Sequence, residues 1–332
     1  MSIRVVFCSD THLGFDYPIR PRVDKPRRGP DFFANFQRVL DHARRTRADL
    51  VVHGGDFFFR SKVPPLIVDR AYQALLEFAE SGIPIAIVPG NHERSVLPPS
   101  LFLNHPQIHV FDVPRTYRLD VRGERLAISG FPYVRNVRAR FSAVLDECAA
   151  HRLSADHRLL CLHHAVDGAV VGPGEFTFRG GADVIDGAAL PAQFDAVLAG
   201  HIHRRQELRL NVPVVYCGSI ERTSFAERNE TKGFCELNLS RGVPPRMVFH
   251  ELPTRPMVDF DGRIYTESAG LLDAVAAQSR QWSKDAMVRI RLASYPDKRL
   301  SNELADIIAG PLSFARPAPA IGLEVPARVR PR

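Results

Sequence analysis

Five short polar clusters, each closing an apolar run, carry side chains able to hold metal ions: Ser9-Asp10-Thr11-His12, His53-Gly54-Gly55-Asp56, Pro89-Gly90-Asn91-His92-Glu93, Leu162-His163-His164 and Ala199-Gly200-His201-Ile202-His203. Carboxylate and amide oxygens mixed with neutral imidazoles suit Mn2+, Fe2+ or Zn2+, and the absence of any thiolate argues against a structural zinc site. Two ions about 3.5–4 Å apart can clamp the attacking and leaving oxygens of an in-line displacement at phosphorus. They need a carboxylate between them, and Asp56 is the natural bridge. Glycines 54, 55, 90 and 200 let the backbone turn sharply beside the ligands and approach a phosphate closely. Taken singly, an Asp-x-His pair or a strand-end histidine is weak evidence, because such a histidine more often serves a structural hydrogen bond. Five clusters ending five apolar runs reverse that judgement.

The apolar, β-branched runs lie at 3–9, 49–53, 83–88, 125–129, 158–163 and 194–199. Between the early ones, residues 31–47 place Phe32, Phe36, Val39, Leu40 and Ala43 on one helical face behind Asp31 as N-cap. Residues 65–81 repeat the theme with Leu66, Ala71, Leu75, Leu76 and Phe78. Alternating strand and helix implies βαβ units. Past residue 200 the strands crowd together, at 206–210, 213–217, 233–239 and 246–251, which predicts antiparallel pairing late in the fold. The fold class is therefore α/β, with two stacked mixed β-sheets flanked by helices. In open α/β sheets the carboxyl ends of strands meet along one crevice, so the five clusters converge there.

At 332 residues the chain is long for one domain. Residues 1–252 form the expected catalytic domain, and Leu252-Pro253-Thr254-Arg255-Pro256 marks a boundary. A small α+β domain follows at 257–310, with a strand, a helix near 267–281, the strand Met287 to Leu292 and a short helix near 300–309. Residues 311–332, rich in Pro, Ala and Arg and without a period, are expected to be a mostly disordered tail. No apolar run approaches the roughly 18 residues of a membrane span, and the N-terminus reads as a strand rather than a leader, so a cytoplasmic location is expected. Cys8, Cys148, Cys161, Cys217 and Cys235 are scattered, which fits core packing under reducing conditions. Net charge is +7, yet only five of the 44 basic residues are lysine, as GC-rich coding produces, so the arginine count alone does not indicate a nucleic acid.

The five clusters together resemble the calcineurin-like metallophosphoesterases, whose signature runs Asp-x-His, Gly-Asp, Gly-Asn-His, His and Gly-His-x-His. That resemblance implies a four-layer sandwich of two sheets between helices. It also implies two metal sites, one held by Asp10, His12, Asp56 and His203, the other by Asp56, Asn91, His163 and His201. His163 takes the family position, leaving His164 open between a supporting and a structural part. The resemblance places His92 against the substrate phosphate as an acid for the leaving oxygen or a stabiliser of the transition state, a task that suits an imidazole near neutral pH.

Residues 27–60, with Arg-Arg-Gly-Pro-Asp-Phe-Phe-Ala-Asn-Phe and Asp-Leu-Val-Val-His-Gly-Gly-Asp-Phe-Phe-Phe-Arg, resemble the SbcD-type DNA-repair exonucleases more narrowly. So do Cys217 to Phe225 and Lys232-Gly233-Phe234. This likeness covers about residues 1–252 and implies a Mn2+-dependent DNA nuclease (Fe2+ and Zn2+ being alternatives), attack by a hydroxide bridging the ions, a small capping domain and a homodimer. Two departures stand out. Many such nucleases carry His or Asp three residues after the bridging aspartate, where this chain has Phe59, which can donate neither a hydrogen bond nor a proton. Relatives also extend into helices that dock an SbcC-type ATPase, and the tail here argues against that partner. Arg27, Arg28, Arg204 and Arg205 are candidates for DNA backbone phosphates, with a solvated charged loop the competing reading. Trp282 and Phe131-Pro132-Tyr133 are placed in packing rather than base stacking. Two alternatives stay open: a phosphodiesterase of cyclic nucleotides or small phosphodiesters, and an inactive scaffold of the same fold.

Overall fold

Strand Ile3–Cys8 is apolar on both faces, as a strand covered on both sides must be. Successive side chains point to opposite faces, and two different cores receive them. Val5 and Phe7 face a second sheet, whereas Val6 and Cys8 face helices. The computed structural model describes residues 2–17, 28–100, 103–294, 296–312 and 322–324.

The first sheet runs in the order Val243–Glu251, Gly233–Ser240, Ile3–Cys8, Leu50–His53, Ile85–Ile87, Ile108–Val110. The last four strands are parallel, while Gly233–Ser240 pairs antiparallel with both of its neighbours. The second sheet runs Gln206–Arg209, Pro213–Tyr216, Ala196–Gly200, His157–His163, Glu124–Gly130, Arg115–Val121, parallel in the middle and antiparallel at both edges. The sheets stack through Val5, Phe7, Val52 and Val88 on one side and Ile128, Leu159, Cys161 and Leu198 on the other.

Helix Gly29–Thr46 lays Phe32, Phe36, Val39 and Leu40 over the outer face of the first sheet, beside helix Pro65–Ala79. Pro65 sits at the start of that second helix, where its missing N–H costs nothing. Helix Val137–Cys148 covers the second sheet through Phe141 and Val144. The result is helix, sheet, sheet, helix, the mixed two-sheet α/β class read from the sequence. All five cysteines are buried and free.

The chain divides into two compact units, one from the described residues of 1–17 and 29–253, the other from those of 254–332 together with Arg28. In the smaller unit, strands Met257–Asp261, Met287–Arg291 and Gly322–Glu324 form a parallel sheet against helices Ser268–Ser279 and Lys298–Leu312. Its core holds Phe260, Val275, Val288, Ile290 and Leu304, with Trp282 packed against it. Of the tail expected to lack structure from Pro311, residues 313–321 and 325–332 lie outside the described residues. The last helix runs to Leu312, and Gly322–Glu324 pairs with Arg289–Arg291. That short strand rests on the edge offered by Met287–Arg291 rather than on its own composition.

Candidate metal centre

Parallel strands carry their following loops to one rim, and both sheets contribute. Asp10 and His12 follow Ile3–Cys8, Asp56 follows Leu50–His53, and Asn91 and His92 follow Ile85–Ile87; His163 closes the strand His157–His163, and His201 and His203 follow Ala196–Gly200. Main-chain bonds knit these loops together. The Asp10 amide donates to the Gly55 carbonyl at 2.9 Å, Gly54 to Cys8 at 2.9 Å and His12 to Asp56 at 3.0 Å. Four of the seven candidate ligands adopt left-handed backbone, with φ of 52° at Asp10, 43° at His12, 51° at Asp56 and 85° at His201. Such conformations cost about 1–3 kcal/mol each and persist only where surrounding structure imposes them. A Cβ at Gly90 would collide with the Asp56 carboxylate, and one at Gly200 with the Gly54 carbonyl, which explains glycine there.

The seven candidate ligands fall into two groups that meet at Asp56. In the first, Nε2 of His12 and Nε2 of His203 stand 2.9 Å apart, with Asp10 Oδ1 3.7 Å from the latter. In the second, Asn91 Oδ1 lies 3.0 Å from His163 Nε2 and 3.0 Å from His201 Nδ1, while Asp56 Oδ1 lies 3.3 Å from His163 Nε2. His163 Nδ1 donates to the Gly54 carbonyl at 2.7 Å, which turns Nε2 toward two oxygen acceptors, Asn91 Oδ1 and Asp56 Oδ1. Lone pairs converging on one point need a positive charge between them. Burial alone would keep His163 neutral, yet Asp56 and then Asp10 push it up to about 9. Burial raises Asp10 and, with His163 nearby, drops His201 to about 3. His12 Nδ1 is buried with no hydrogen-bond partner among the described residues. Two carboxylates, one amide and four imidazoles, arranged in this way, fit a pair of divalent cations.

His92 differs from the ligands. Its Nδ1 donates to the Phe59 carbonyl at 2.6 Å, its Nε2 is 3.8 Å from Asp56 Oδ2, and it is 36% exposed at the mouth of the site. Phe59 acts on it through the main chain. The Phe59 ring meets His12 edge-on at 5.9 Å and packs 5.8 Å from His92. His164 turns away from the cluster: its Nε2 faces the Val134 backbone, and Tyr133 stacks on its ring at 4.8 Å.

Three buried supports had no role assigned from the sequence. Glu227 Oε1 accepts from His203 Nδ1 at 3.1 Å, and Lys232 Nζ, wholly buried, sits 2.7 Å from Glu227 Oε2 and 2.9 Å from the His203 carbonyl. Burial opposes ionisation of Glu227, but His203 and Lys232 together hold its carboxyl well below the usual range. Glu93 accepts from the amides of Gly90 at 2.8 Å and Phe58 at 2.5 Å, and burial with Asp56 nearby pushes it up to about 8. Glu93 closes the Pro89 to Glu93 cluster and Lys232 opens the Lys232-Gly233-Phe234 stretch, but neither was given a role there. Glu227 follows no apolar run and gave no signal.

Of the four arginines proposed for phosphate binding, Arg27 lies outside the described residues and Arg28 belongs to the smaller unit. Arg204 is ion-paired with Glu175 at 2.9 Å, and Arg205 lies 4.4 Å over the Phe249 ring. Both line a cleft of about 400 Å3 with Arg228. A second cleft, about 620 Å3, opens directly on Asn91 and is lined by Arg94, Tyr133, Arg135 and Arg140. These arginines stand singly in the sequence and carried no motif.

Residues 3–205 match the calcineurin-like phosphoesterase family. Among curated relatives, the chain is 25% identical to the DNA double-strand break repair protein Mre11 of Archaeoglobus fulgidus, over 90% of this chain and 75% of that one. It is 31% identical to the protein of the same name from Haloferax volcanii, over 76% of this chain and 53% of that one. Against the SbcD component of the SbcCD nuclease of Bacillus subtilis it is 25% identical, over 69% of this chain and 64% of that one. The chain thus spans about half to three quarters of the length of these relatives. All five ligand clusters fall inside the matched span, and the chain belongs to the calcineurin-like phosphoesterases, a family of metal-dependent hydrolases.

Proposed function

We propose that this chain hydrolyses phosphodiester bonds in DNA, with Mn2+ as the working metal at two sites: Asp10, His12, Asp56 and His203, and Asp56, Asn91, His163 and His201. The observation that carries the reading is the approach of donor atoms from both sheets to two points that share Asp56. The similarity to proteins named for DNA double-strand break repair supports DNA as the substrate class. Two divalent cations bound there supply Lewis acidity toward the phosphoryl oxygens and lower the pKa of an attacking water.

The chain's own groups do the rest. His163 and His203 are held in one tautomer by Gly54 and Glu227, which keeps each Nε2 free for a cation. His92, oriented by the Phe59 carbonyl, presents Nε2 at the mouth, where it protonates the departing oxygen. Arg94, Arg135 and Arg140 take the phosphates flanking the scissile bond, and the Tyr133 ring borders the same cleft. An open cleft with three arginines suits a polyanion better than a single small phosphodiester.

The test is a nuclease assay on end-labelled single- and double-stranded DNA across Mn2+, Mg2+ and Zn2+. Cleavage lost in Asp56→Ala and His92→Ala is expected, and a purified, metal-loaded chain inert on every DNA form overturns the reading. Competition by DNA against hydrolysis of bis-(4-nitrophenyl) phosphate at moderate salt separates a DNA enzyme from one for small phosphodiesters.

A further inference from the structure

A second cluster of metal-ligand side chains lies outside the five motifs, on the helix-covered face of the first sheet. Glu236 pairs in register with Val6, which faces the helices, and Phe234 pairs with His250 on the neighbouring strand. Helix Gly29–Thr46 brings His42 down onto the same spot. One oxygen of Glu236, Oε1, is occupied by Arg4 Nε at 3.2 Å and Asn238 Nδ2 at 3.2 Å. Its other oxygen, Oε2, faces two imidazoles, with His42 Nε2 at 3.0 Å and His250 Nε2 at 3.9 Å.

From this geometry we infer that His42, Glu236 and His250 form a separate binding site for one divalent cation of the zinc class, which fastens the helix to the edge hairpin. A single histidine is enough to partner a carboxylate, so the second one asks for another explanation. Nε2 of His250 is buried with no hydrogen-bond partner among the described residues. The three ligand atoms all lie within 4.8 Å of one another. Tetrahedral zinc with bonds of about 2.0–2.2 Å places its donors about 3.3–3.6 Å apart, between the two distances observed. The rings are already fixed: His250 stacks on Phe234 at 5.0 Å and 16°, and His42 meets Phe234 edge-on at 4.9 Å. Two imidazoles and one carboxylate leave a fourth position, which a water fills from the adjoining cleft of about 240 Å3, where Asp41 also opens. Arg38, on the same cleft, is engaged with Asn35 Oδ1 at 2.9 Å and leaves room for a cation.

The experiment is zinc stoichiometry on the chelator-stripped full chain, read by competition with a chromophoric chelator, in parent, His42→Gln/His250→Gln and Asp56→Asn chains. The double variant is expected to bind one zinc fewer than the parent while keeping its Mn2+-dependent phosphodiesterase activity, and the same single-ion difference is expected in the Asp56→Asn background. Zinc should raise Tm in the Asp56→Asn chain and lose that effect when the two histidines are replaced. Equal zinc counts with and without the histidines overturn the proposal. Should the double variant fold poorly, His250→Gln alone, on a side chain about one third exposed, gives the same comparison.

Discussion

Glu227 Oε1 accepts a hydrogen bond from Nδ1 of His203 at 3.1 Å, and the buried Lys232 ammonium stands on the far side of that carboxylate at 2.7 Å. The chain Lys232, Glu227, His203 fixes which imidazole nitrogen faces Asp10 and His12. Removing such an outer partner typically costs metal affinity about 10–100-fold. Glu227→Ala should therefore weaken one of the two candidate sites by that factor and leave the other near its parent affinity. Isothermal titration with Mn2+ on the stripped chain reads this directly.

His92 packs 4.8 Å from the His12 ring and its Nε2 is 3.8 Å from Asp56 Oδ2, while its Nδ1 is taken by the Phe59 carbonyl. His92→Gln is expected to keep full metal content and lose about 10^2–10^4-fold in kcat, the usual range for a positioned general acid. Metal analysis beside single-turnover rates tests it, and a variant that also loses metal contradicts the role.

At position 59 the backbone carbonyl orients His92 whatever the side chain is, so a polar side chain can replace the ring without removing that bond. Phe59→His should leave metal binding and His92 in place while adding a donor 5–6 Å from both His12 and His92. Faster release of nucleotides from duplex ends is the expected outcome, measured on end-labelled DNA.

The cleft beside Asn91 gives a prediction about salt. Replacing Arg94, Arg135 and Arg140 together by alanine should weaken DNA binding and flatten its dependence on log salt by about 0.9 for each phosphate of duplex DNA that is no longer neutralised. Fluorescence anisotropy at several NaCl concentrations reports the slope. An unchanged slope would place the DNA elsewhere.

In the smaller unit, Arg289 and Arg291 both grip Asp259, at 2.7 Å and 2.6 Å, and hold its carboxyl well below the usual range. A carboxylate whose folded pKa is depressed adds stability above its unfolded value of about 3.9 and withdraws it as pH falls. Asp259→Asn should thus be less stable than the parent at pH 7, with the gap closing below about pH 4. Urea unfolding at several pH values shows whether the curves converge.

How much of this was legible beforehand follows from where the information sits. Val5 and Phe7 alternate with Val6 and Cys8 in one short run, so the central strand and its two packed faces are written locally. The rim residues share that advantage, because each closes such a run and parallel strands bring their ends together. Glu227 and Lys232 lie in a loop whose course is set by contacts with His203 and not by any periodicity. Arg94, Arg135 and Arg140 become a group only when the loop after Ile85–Ile87 folds beside the start of helix Val137–Cys148. Gly322–Glu324 is three residues long, too short for a pattern, and depends on the edge offered by Met287–Arg291.

Every candidate ion draws its ligands from both halves of the sandwich: Asp10 and His12 against His203, Asp56 and Asn91 against His163 and His201. The cations then behave as rivets through a seam, and their withdrawal by a chelator would slacken the grip of one sheet on the other at that edge. Amide exchange in the strand ends on both sides of the seam should quicken together, as a single cooperative opening.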